Sequence, residues 1–347
     1  MQSIKAGTSR KALIYLLLML LVLFFLFDLF LGSTSIPFSE IVKTIVTGQS
    51  PHPEWKIIIF DFRLPKALAA ILAGIALSVS GLQMQTIFRN PLAGPDVLGI
   101  SSGASLGVAI LVLGMSGFFS SNISSILGNW AIVVAACIGS AASLLLVLAV
   151  SSKVRDIMTI LIMGIMIGAA ISSVVSILQY FGNESLLKSF VVWTMGSLGH
   201  ISKMQLLVLF PCVLSGLVLS FLSVKRLNAL LLGERYAMTL GLNIKFSRVL
   251  IFTSTSILAG STTAFCGPVA FIGIAVPHLC RFIFKTSDHK ILLFASMITG
   301  AIVLLFCDMV SQLPGSDITI PVNSVTALMG IPVVVWIIIQ NQKKNLW

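Results

Sequence analysis

Residues 13–31, LIYLLLMLLVLFFLFDLFL, form an apolar stretch with one charged residue, Asp28. A helix needs about 20 mainly apolar residues to cross the hydrocarbon core of a bilayer, and this stretch has that length. Lys5, Arg10 and Lys11 precede it, as they would in a secretory signal peptide. The apolar run is longer than the roughly 7–15-residue core of such peptides, and no clear cleavage site follows. We therefore predict a retained membrane helix.

The composition of the whole chain agrees with this first helix. Of its 347 residues, 57% are hydrophobic and 10% are charged, whereas a soluble domain contains about 25% charged residues. Even a large soluble domain leaves about a quarter of its unfolded-chain surface exposed, so it could not hide this much apolar side chain. The composition excludes a soluble enzyme, a disulfide scaffold and a disordered chain. It predicts an all-α polytopic membrane protein surrounded by lipid.

The same length criterion divides the chain into about ten transmembrane helices within one domain, residues 1–347. The third and eighth candidates are the shortest and contain the most glycine. The predicted spans are 12–32, 64–88, 95–113, 122–150, 156–181, 202–224, 246–266, 268–284, 290–312 and 321–340.

The distribution of lysine and arginine indicates the orientation. Cytoplasmic ends of transmembrane helices are enriched in these residues. Most of the 22 basic residues fall on one side if the N-terminus is cytoplasmic and ten spans follow. We therefore predict that both termini are cytoplasmic. The net charge of +11 includes no block of five basic residues, so topology explains it better than a nucleic-acid partner.

Two predicted spans of opposite direction end in segments rich in glycine and proline. The second span ends at residues 90–95, NPLAGP, and the seventh ends at residues 266–268, CGP. Inverted-topology repeats produce such pairs, which often lie near transport pathways. The pattern predicts an inverted repeat, with two unrelated helix turns as the alternative.

A motif typical of serine hydrolases occurs at residues 99–103, GISSG. That motif requires a strand-to-helix turn with a histidine and an acid available, but here it opens an apolar helix. Gly99, Gly103 and Gly107 recur every four residues, an interval at which small residues let transmembrane helices approach closely. We predict helix packing for the three glycines. A hydrolase using Ser101 is a remote alternative.

Two carboxylates lie within or near apolar spans, where ionisable groups are costly and often functional. Asp28 is close to the outer end of its helix, so we expect it to reach the membrane interface. Asp308 is deeper, but no second acid or histidine completes a proton relay, so we favour a structural role. The histidines share no helical face with one another or with a carboxylate, and the cysteines form no C-x-x-C pair. We therefore expect no metal site and no cofactor.

Two further patterns concern transport and its energy source. Ser172, Ser176 and Gln179 recur at helical spacing, so they either line a polar passage or bond to neighbouring helices. The chain contains no Gly-Lys dipeptide and hence no phosphate-binding loop, so a transporter would need a partner's ATP hydrolysis or an ion gradient. The apolar spacing in residues 229–243 predicts a short amphipathic helix, which either docks a partner or lies in the membrane interface.

Four blocks of sequence resemble the FecCD-type permeases, the family that includes the membrane subunits of vitamin B12 and iron-siderophore importers. The resemblance implies a vitamin B12 importer permease-like fold in the bacterial cytoplasmic membrane, dimerising with itself or a paralogue around a passage. It also implies cytoplasmic ABC ATPase subunits and an extracytoplasmic substrate-binding protein as partners. The blocks are residues 63–66 (RLPK), 90–104 (NPLAGPDVLGISSGA), 232–241 (LGERYAMTLG) and 267–281 (GPVAFIGIAVPHLCR).

The resemblance also implies roles for individual residues. Arg63 and Lys66 match basic residues that contact the binding protein, although Lys66 replaces an arginine and loses its bidentate geometry. The loop 229–243 matches the segment that couples to the ATPase, through Gly233, Glu234, Ala237, Leu240 and Gly241. The fifth and tenth helices line the passage in the family, which implies a pathway role for Ser172, Ser176, Gln179, Asn323 and Thr326.

One stretch departs from the family pattern. Before its last helix the family usually reads ELPVGVVTA, often with an arginine upstream, whereas this chain reads TIPVNSVTA at 319–327, with Asp317 upstream. We therefore expect no third basic contact. The resemblance as a whole implies a non-enzymatic permease subunit of an ABC importer for a metal chelate, with ferric siderophore first and cobalamin or haem as alternatives. A proton-coupled secondary transporter using Asp308 is a separate alternative.

Overall fold

All the secondary structure in the described part of the chain is helical. The computed structural model describes residues 2–344 except positions 33, 35, 49, 51, 115–120, 155, 200 and 313–318. Asp317, to which the sequence analysis referred, lies outside the described residues.

The helices lie in the chain in the following order. A π-helical turn, Ile58–Arg63, joins α3 to α4, and a second, Ile110–Gly114, extends α5. The helices are α1 Gln2–Phe30, α2 Phe38–Thr47, α3 Pro53–Ile57, α4 Leu64–Ile87, α5 Ile100–Ala109, α6 Ser121–Lys153, α7 Ile157–Phe181, α8 Glu184–Thr194, α9 Lys203–Leu231, α10 Glu234–Thr239, α11 Ile244–Cys266, α12 Ile272–Phe284, α13 His289–Ser311 and α14 Val322–Lys344.

Each of the ten predicted spans coincides with an apolar helix, which confirms the predicted fold class. Among the described residues, seven helical segments are long and apolar enough to cross a membrane, and the other three spans match the shorter apolar helices Ile100–Gly114, Ile272–Phe284 and Val322–Trp336. The number of crossings, the cytoplasmic termini, the inverted repeat and the single domain stay predictions.

The helices α5 and α12, which correspond to the third and eighth predicted spans, begin later than the sequence predicts. A 3₁₀ turn, Pro95–Leu98, precedes α5 and ends at Gly99, whose φ is 67°. Before α12, Gly267 and Phe271 also have positive φ, at 73° and 66°. A residue in the left-handed region interrupts a right-handed helix, so each helix begins only after this turn.

α4 is in direct backbone contact with two other helices. A Cβ atom placed on Gly81 would lie 1.8 Å from the carbonyl oxygen of Gly273 in α12. One placed on Gly74 would lie 2.3 Å from the carbonyl oxygen of Gly300 in α13. No side chain fits at either distance, so glycine is required for α4, α12 and α13 to pack this closely.

The glycines predicted to pack helices lie along α5, facing α6 and α7. A Cβ atom on Gly103 would lie 2.5 Å from the Gly139 carbonyl oxygen, and one on Gly107 would lie 2.0 Å from that of Ala135. Gly99 precedes the helix and lies near Ser143, whose hydroxyl donates to the Gly99 carbonyl at 2.8 Å. A packing role for the three glycines stays a prediction, and these contacts support it.

Polar side chains also join helices within the core. The Gln83 amide of α4 donates to the Ser254 hydroxyl at 3.2 Å and accepts from the Thr255 hydroxyl at 2.9 Å, both in α11. The Ser254 hydroxyl also donates to the Gly216 carbonyl of α9 at 2.9 Å. These two hydroxyl groups of α11 are therefore used in packing, as is common where helices associate in membranes.

Candidate functional site

A cavity of about 660 Å³ lies at the N-terminal end of α4 and the C-terminal end of α13. We call it the outer cavity, because the predicted orientation places this end of α4 outside the cytoplasm. Arg63, Lys66, Asp308 and Gln312 are among the residues that line it, together with the loop 195–199. The two basic residues predicted to contact a binding protein therefore lie in one cavity.

Arg63 is buried in the cavity wall and binds the end of α1. Its Nη1 donates to the carbonyls of Leu29 at 2.9 Å and Phe30 at 3.1 Å, and its Nη2 donates to that of Thr34. The last carbonyls of a helix lack intrahelical donors and carry partial negative charge. Arg63 therefore caps α1, and its contact with a binding protein stays a prediction.

Lys66 belongs to a buried group that we call the outer cluster, formed with Asp28, Asp308 and Gln312. Lys66 Nζ lies 2.9 Å from Asp308 Oδ2, and the two side chains are 12% and 4% exposed. Gln312 Nε2 donates to Asp308 Oδ2 at 2.8 Å and to Asp28 Oδ1 at 3.3 Å. The prediction that Asp28 reaches the interface is wrong, because Asp28 is fully buried. Asp308 also has the second acid nearby that the sequence did not indicate.

The predicted coupling loop contains a short helix bounded by glycines. Gly233 and Gly241 have positive φ, at 109° and 82°, and this left-handed region favours glycine because it has no Cβ. Ala237 is fully buried on the inner side of α10, whereas Leu240 is 61% exposed. The segment thus presents apolar side chains on one face and is anchored through Ala237. Its role in coupling stays a prediction.

Glu234 at the start of α10 forms an ion pair with Arg248 of α11, which we call the inner ion pair. Arg248 Nη2 lies 2.9 Å from both carboxylate oxygens, and Nε lies 3.2 Å from Oε1. Arg248 Nη1 also donates to the Val154 carbonyl after α6, at 3.2 Å. A single guanidinium therefore joins α6, α10 and α11. Arg248 was not predicted from the sequence, because it lies outside the motifs that indicated the other site residues.

A second arginine, Arg89, contacts the turn between α9 and α10. Arg89 has a φ of 48°, and its Nη2 donates to the Leu231 carbonyl at 2.9 Å. Its guanidinium lies beside Gly233, where a Cβ atom would be 3.1 Å from Nη2. Arg89, two residues after α4, thus holds the end of α9 just before α10, a contact without a local sequence signal.

The predicted pathway residues lie in two places. Ser172 and Ser176 are exposed on α7 and Gln179 is half-buried; the Ser172 hydroxyl donates to that of Ser102 at 3.3 Å. In α14, Asn323 Oδ1 accepts from the Ala270 amide at 3.0 Å. Thr326 is 1% exposed. Asn323 and Thr326 thus contribute to packing, and the pathway role of all five stays a prediction.

The remaining candidate groups are a serine and the metal-ligating residue types. The Ser101 hydroxyl donates to the Asp96 carboxylate, whereas a hydrolase nucleophile would face an imidazole base. Among the described residues, no group of three or more His, Cys, Asp or Glu side chains could hold a metal ion.

A capping residue at the predicted cytoplasmic end of α13 has a shifted pKa. Asp288 accepts from the Asn228 amide at 2.9 Å and from the Lys290 backbone amide at 3.0 Å. These hydrogen bonds, led by that from Asn228, hold the pKa of Asp288 below its usual value of 3.8. The side chain is therefore an ionised N-cap at neutral pH.

Comparison with known proteins gives consistent matches over nearly the whole chain. The model of the FecCD transport family matches residues 20–340. The haemin transport system permease protein HmuU of Yersinia pestis is 33% identical over 95% of this chain and 96% of its own length. The vitamin B12 import system permease protein BtuC of Klebsiella pneumoniae is 33% identical over 90% of this chain and 94% of its own length.

A solved structure has the same fold. It is a metal-chelate type ABC transporter in an inward-facing conformation, 29% identical in sequence, with a TM-score of 0.81. The superposition covers 95% of this chain and 99% of the other. The arrangement of helices described above is therefore shared along both chains.

Proposed function

This chain belongs to the FecCD transport family, and from that premise we propose that it is the permease subunit of an ABC importer for a metal chelate. The family match over residues 20–340 carries the proposal. Family members are multi-pass inner-membrane permeases, and ATP hydrolysis takes place in a separate subunit. The absence of a Gly-Lys dipeptide from the sequence agrees with this division of labour.

The coupling loop, residues 229–243, is the proposed contact with the ATPase. Exposed apolar side chains on α10 and after it, such as Tyr236, Met238 and Leu240, would pack against the partner. Ala237 and the inner ion pair would transmit movement of the ATPase to α11 and the end of α6. Closure of the ATPase pair would then drive alternating access between the two sides of the membrane.

The outer cavity is the proposed docking side for a substrate-binding protein. Arg63 and Lys66 line its wall, and they are the residues that we propose to meet acidic side chains of the partner. We further propose that two permease chains, either identical or paralogous, enclose the passage. Ser172, Ser176, Gln179, Asn323 and Thr326 are the proposed pathway residues.

The cargo that we propose first is a ferric siderophore, with haem and cobalamin as alternatives. The relatives named for haemin and for vitamin B12 are both 33% identical to this chain, so similarity alone does not separate the cargoes. Uptake of labelled ferric siderophore, haem and cobalamin by the same reconstituted importer would separate them.

Co-purification tests the proposed subunit arrangement. We expect an ABC ATPase at about one copy per permease when the tagged chain, expressed with its neighbouring genes, is extracted in mild detergent. ATP should then drive uptake into proteoliposomes. Uptake driven by a proton gradient without ATP, by a chain that purifies alone, would contradict the proposal and favour a secondary transporter using Asp308.

Substitution at the coupling loop tests the proposed contact. Ala237→Leu should abolish the stimulation of ATPase activity by cargo-loaded binding protein, because the larger side chain displaces α10 from its buried position. The matched control is Ala141→Leu on the exposed face of α6, which should retain the stimulation. Equal stimulation in both variants would contradict a coupling role for α10.

A further inference from the structure

The outer cluster contains two carboxyl groups buried against each other. Asp28 comes from α1 and Asp308 from α13, and they are 0% and 3% exposed. A single amide nitrogen, Gln312 Nε2, donates to both. Asp28 Oδ1 and Asp308 Oδ2 therefore lie 3.3 and 2.8 Å from the same nitrogen atom. Two acids from distant parts of the chain thus share one small polar site.

Among the described residues around this site, one cation is in direct contact with an acid of the cluster. Lys66 forms the ion pair with Asp308. Arg63 is the other nearby cation, but its hydrogen bonds go to the carbonyls of Leu29, Phe30 and Thr34 and to neither acid of the cluster. With both acids ionised, the Asp28 carboxylate would therefore have no cation in direct contact.

The hydrogen bonds of the cluster leave one oxygen without a donor. Asp308 Oδ2 receives both Lys66 and Gln312, and Asp28 Oδ1 receives Gln312. Asp28 Oδ2 is buried and has no hydrogen-bond partner in the described part of the chain. A carboxylate oxygen cannot donate, so an ionised Asp28 would remain unsatisfied at considerable cost.

We propose that Asp28 and Asp308 share one proton, so that the outer cluster is a proton-binding site in the wall of the outer cavity. The proton on Asp28 Oδ2 forms an O–H donor to the Asp308 carboxylate, which satisfies both groups. Asp28 is then neutral, and the charges of Asp308 and Lys66 cancel. Two carboxyl groups that share a site hold a proton jointly in this way, because both cannot ionise at low cost.

The proton exchanges through the outer cavity, because Lys66, Asp308 and Gln312 all line it. Deprotonation to water leaves a buried negative charge on Asp28 that no cation contacts directly, and reprotonation removes it. This inference concerns the charge state of the folded chain and does not depend on the proposed transport function. It also differs from proton-driven transport, since the proton need not cross the membrane.

Infrared spectroscopy of the purified full-length chain tests the proposal. Protein carrying ¹³C-carboxyl aspartate should show a carboxylic acid C=O band at neutral pH that shifts with the label and moves on exchange into D₂O. The band should be lost in both Asp28→Asn and Asp308→Asn. The exposed acid Asp61 provides the control, since Asp61→Asn should retain it. A spectrum with no acid band that either variant removes would overturn the proposal.

Thermal unfolding of the same variants gives a second readout. The amide introduced by Asp28→Asn would present an N–H donor where the proposal places an O–H donor, so this variant should change Tm by less than about 2 °C at neutral pH. Asp28→Leu, of similar size but without a donor, should lower Tm further. A clear change of Tm in Asp28→Asn, or equal losses in Asp28→Asn and Asp28→Leu, would contradict the proposal.

Discussion

The outer cluster and the inner ion pair lie at opposite ends of α4 and balance buried charge differently. At the outer end, one lysine contacts one of two acids, through a single pair of atoms at 2.9 Å. At the inner end, one arginine contacts both oxygens of one acid at 2.9 Å. The inner pair is matched in charge and geometry, whereas the outer cluster has an additional acid.

This difference separates two uses of buried charge. The planar fork of Arg248 fixes the direction of α10 relative to α11, since a bidentate pair allows little rotation. The lysine of the outer cluster is a point charge that imposes no such direction, and its second acid can take up or release a proton. We infer that the inner pair positions a helix and that the outer cluster responds to its surroundings.

The largest expected effect is at the inner ion pair. Arg248→Met should lower the free energy of unfolding by about 3 kcal/mol, because it leaves Glu234 without its partner and removes the bond to Val154. Thermal unfolding in detergent measures the loss. Arg235→Met, in the same segment but exposed, should cost little. Equal losses in the two variants would mean that the inner pair has no special structural role.

Lys66→Met should have a pH-dependent effect of similar size, about 3 kcal/mol at neutral pH, because it leaves the buried Asp308 without its partner. Without the lysine, both acids of the outer cluster must be protonated to remain buried. The folded variant then binds more protons than its unfolded chain, so its stability should rise as the pH falls. Unfolding temperatures between about pH 5 and 8 measure the slope. A constant difference from the parent would contradict this account.

Low pH should destabilise the N-terminal end of α13 through protonation of its cap, Asp288. Its pKa is lowered in the folded protein, so its contribution is present above the usual value of 3.8 and is lost as the pH falls through the folded pKa. Asp288→Asn should therefore lower the stability at neutral pH, where the ionised cap contributes, and its stability should converge with that of the parent below about pH 4. The comparison of the two acid-unfolding curves tests this, and parallel curves would contradict it.

The smallest effect should come from an exposed ion pair near the outer cavity. Lys203 Nζ lies 2.5 Å from Asp61 Oδ1, and the two side chains are 57% and 45% exposed. Solvent screening limits such pairs to about 0–1 kcal/mol. Lys203→Gln should change the unfolding temperature least among these variants. A loss as large as that of Lys66→Met would show that burial does not distinguish the two lysines.

The fold was predictable because its signals are local. Each apolar run is long enough to specify a helix by itself, and Gly233 and Gly241 mark both ends of α10. The four-residue glycine interval likewise indicated the face of α5 that approaches α6. Helix starts were less accurate at Gly99 and Phe271, where a positive φ delays the helix. Phe271 is not a residue type from which such a conformation is expected.

The contacts of the two charged sites were not predictable from spacing. Gln312 bonds Asp28 across 284 positions of sequence, and that contact exists only because α1 lies beside α13. Arg248 bonds Glu234 across 14 positions, with a turn between them that breaks the helical period. The sequence indicated the residue types that matter but not which of them meet.

The close glycine contacts of α4 have a mechanical consequence. Since Gly74 touches Gly300 and Gly81 touches Gly273 through the backbone, α4, α12 and α13 cannot slide past one another without a large steric cost. We expect these three helices to move as one rigid body, which carries Lys66 and Asp308 together. Any hinge of the molecule would then lie outside this block, and cross-links placed within the block should leave movement unimpeded.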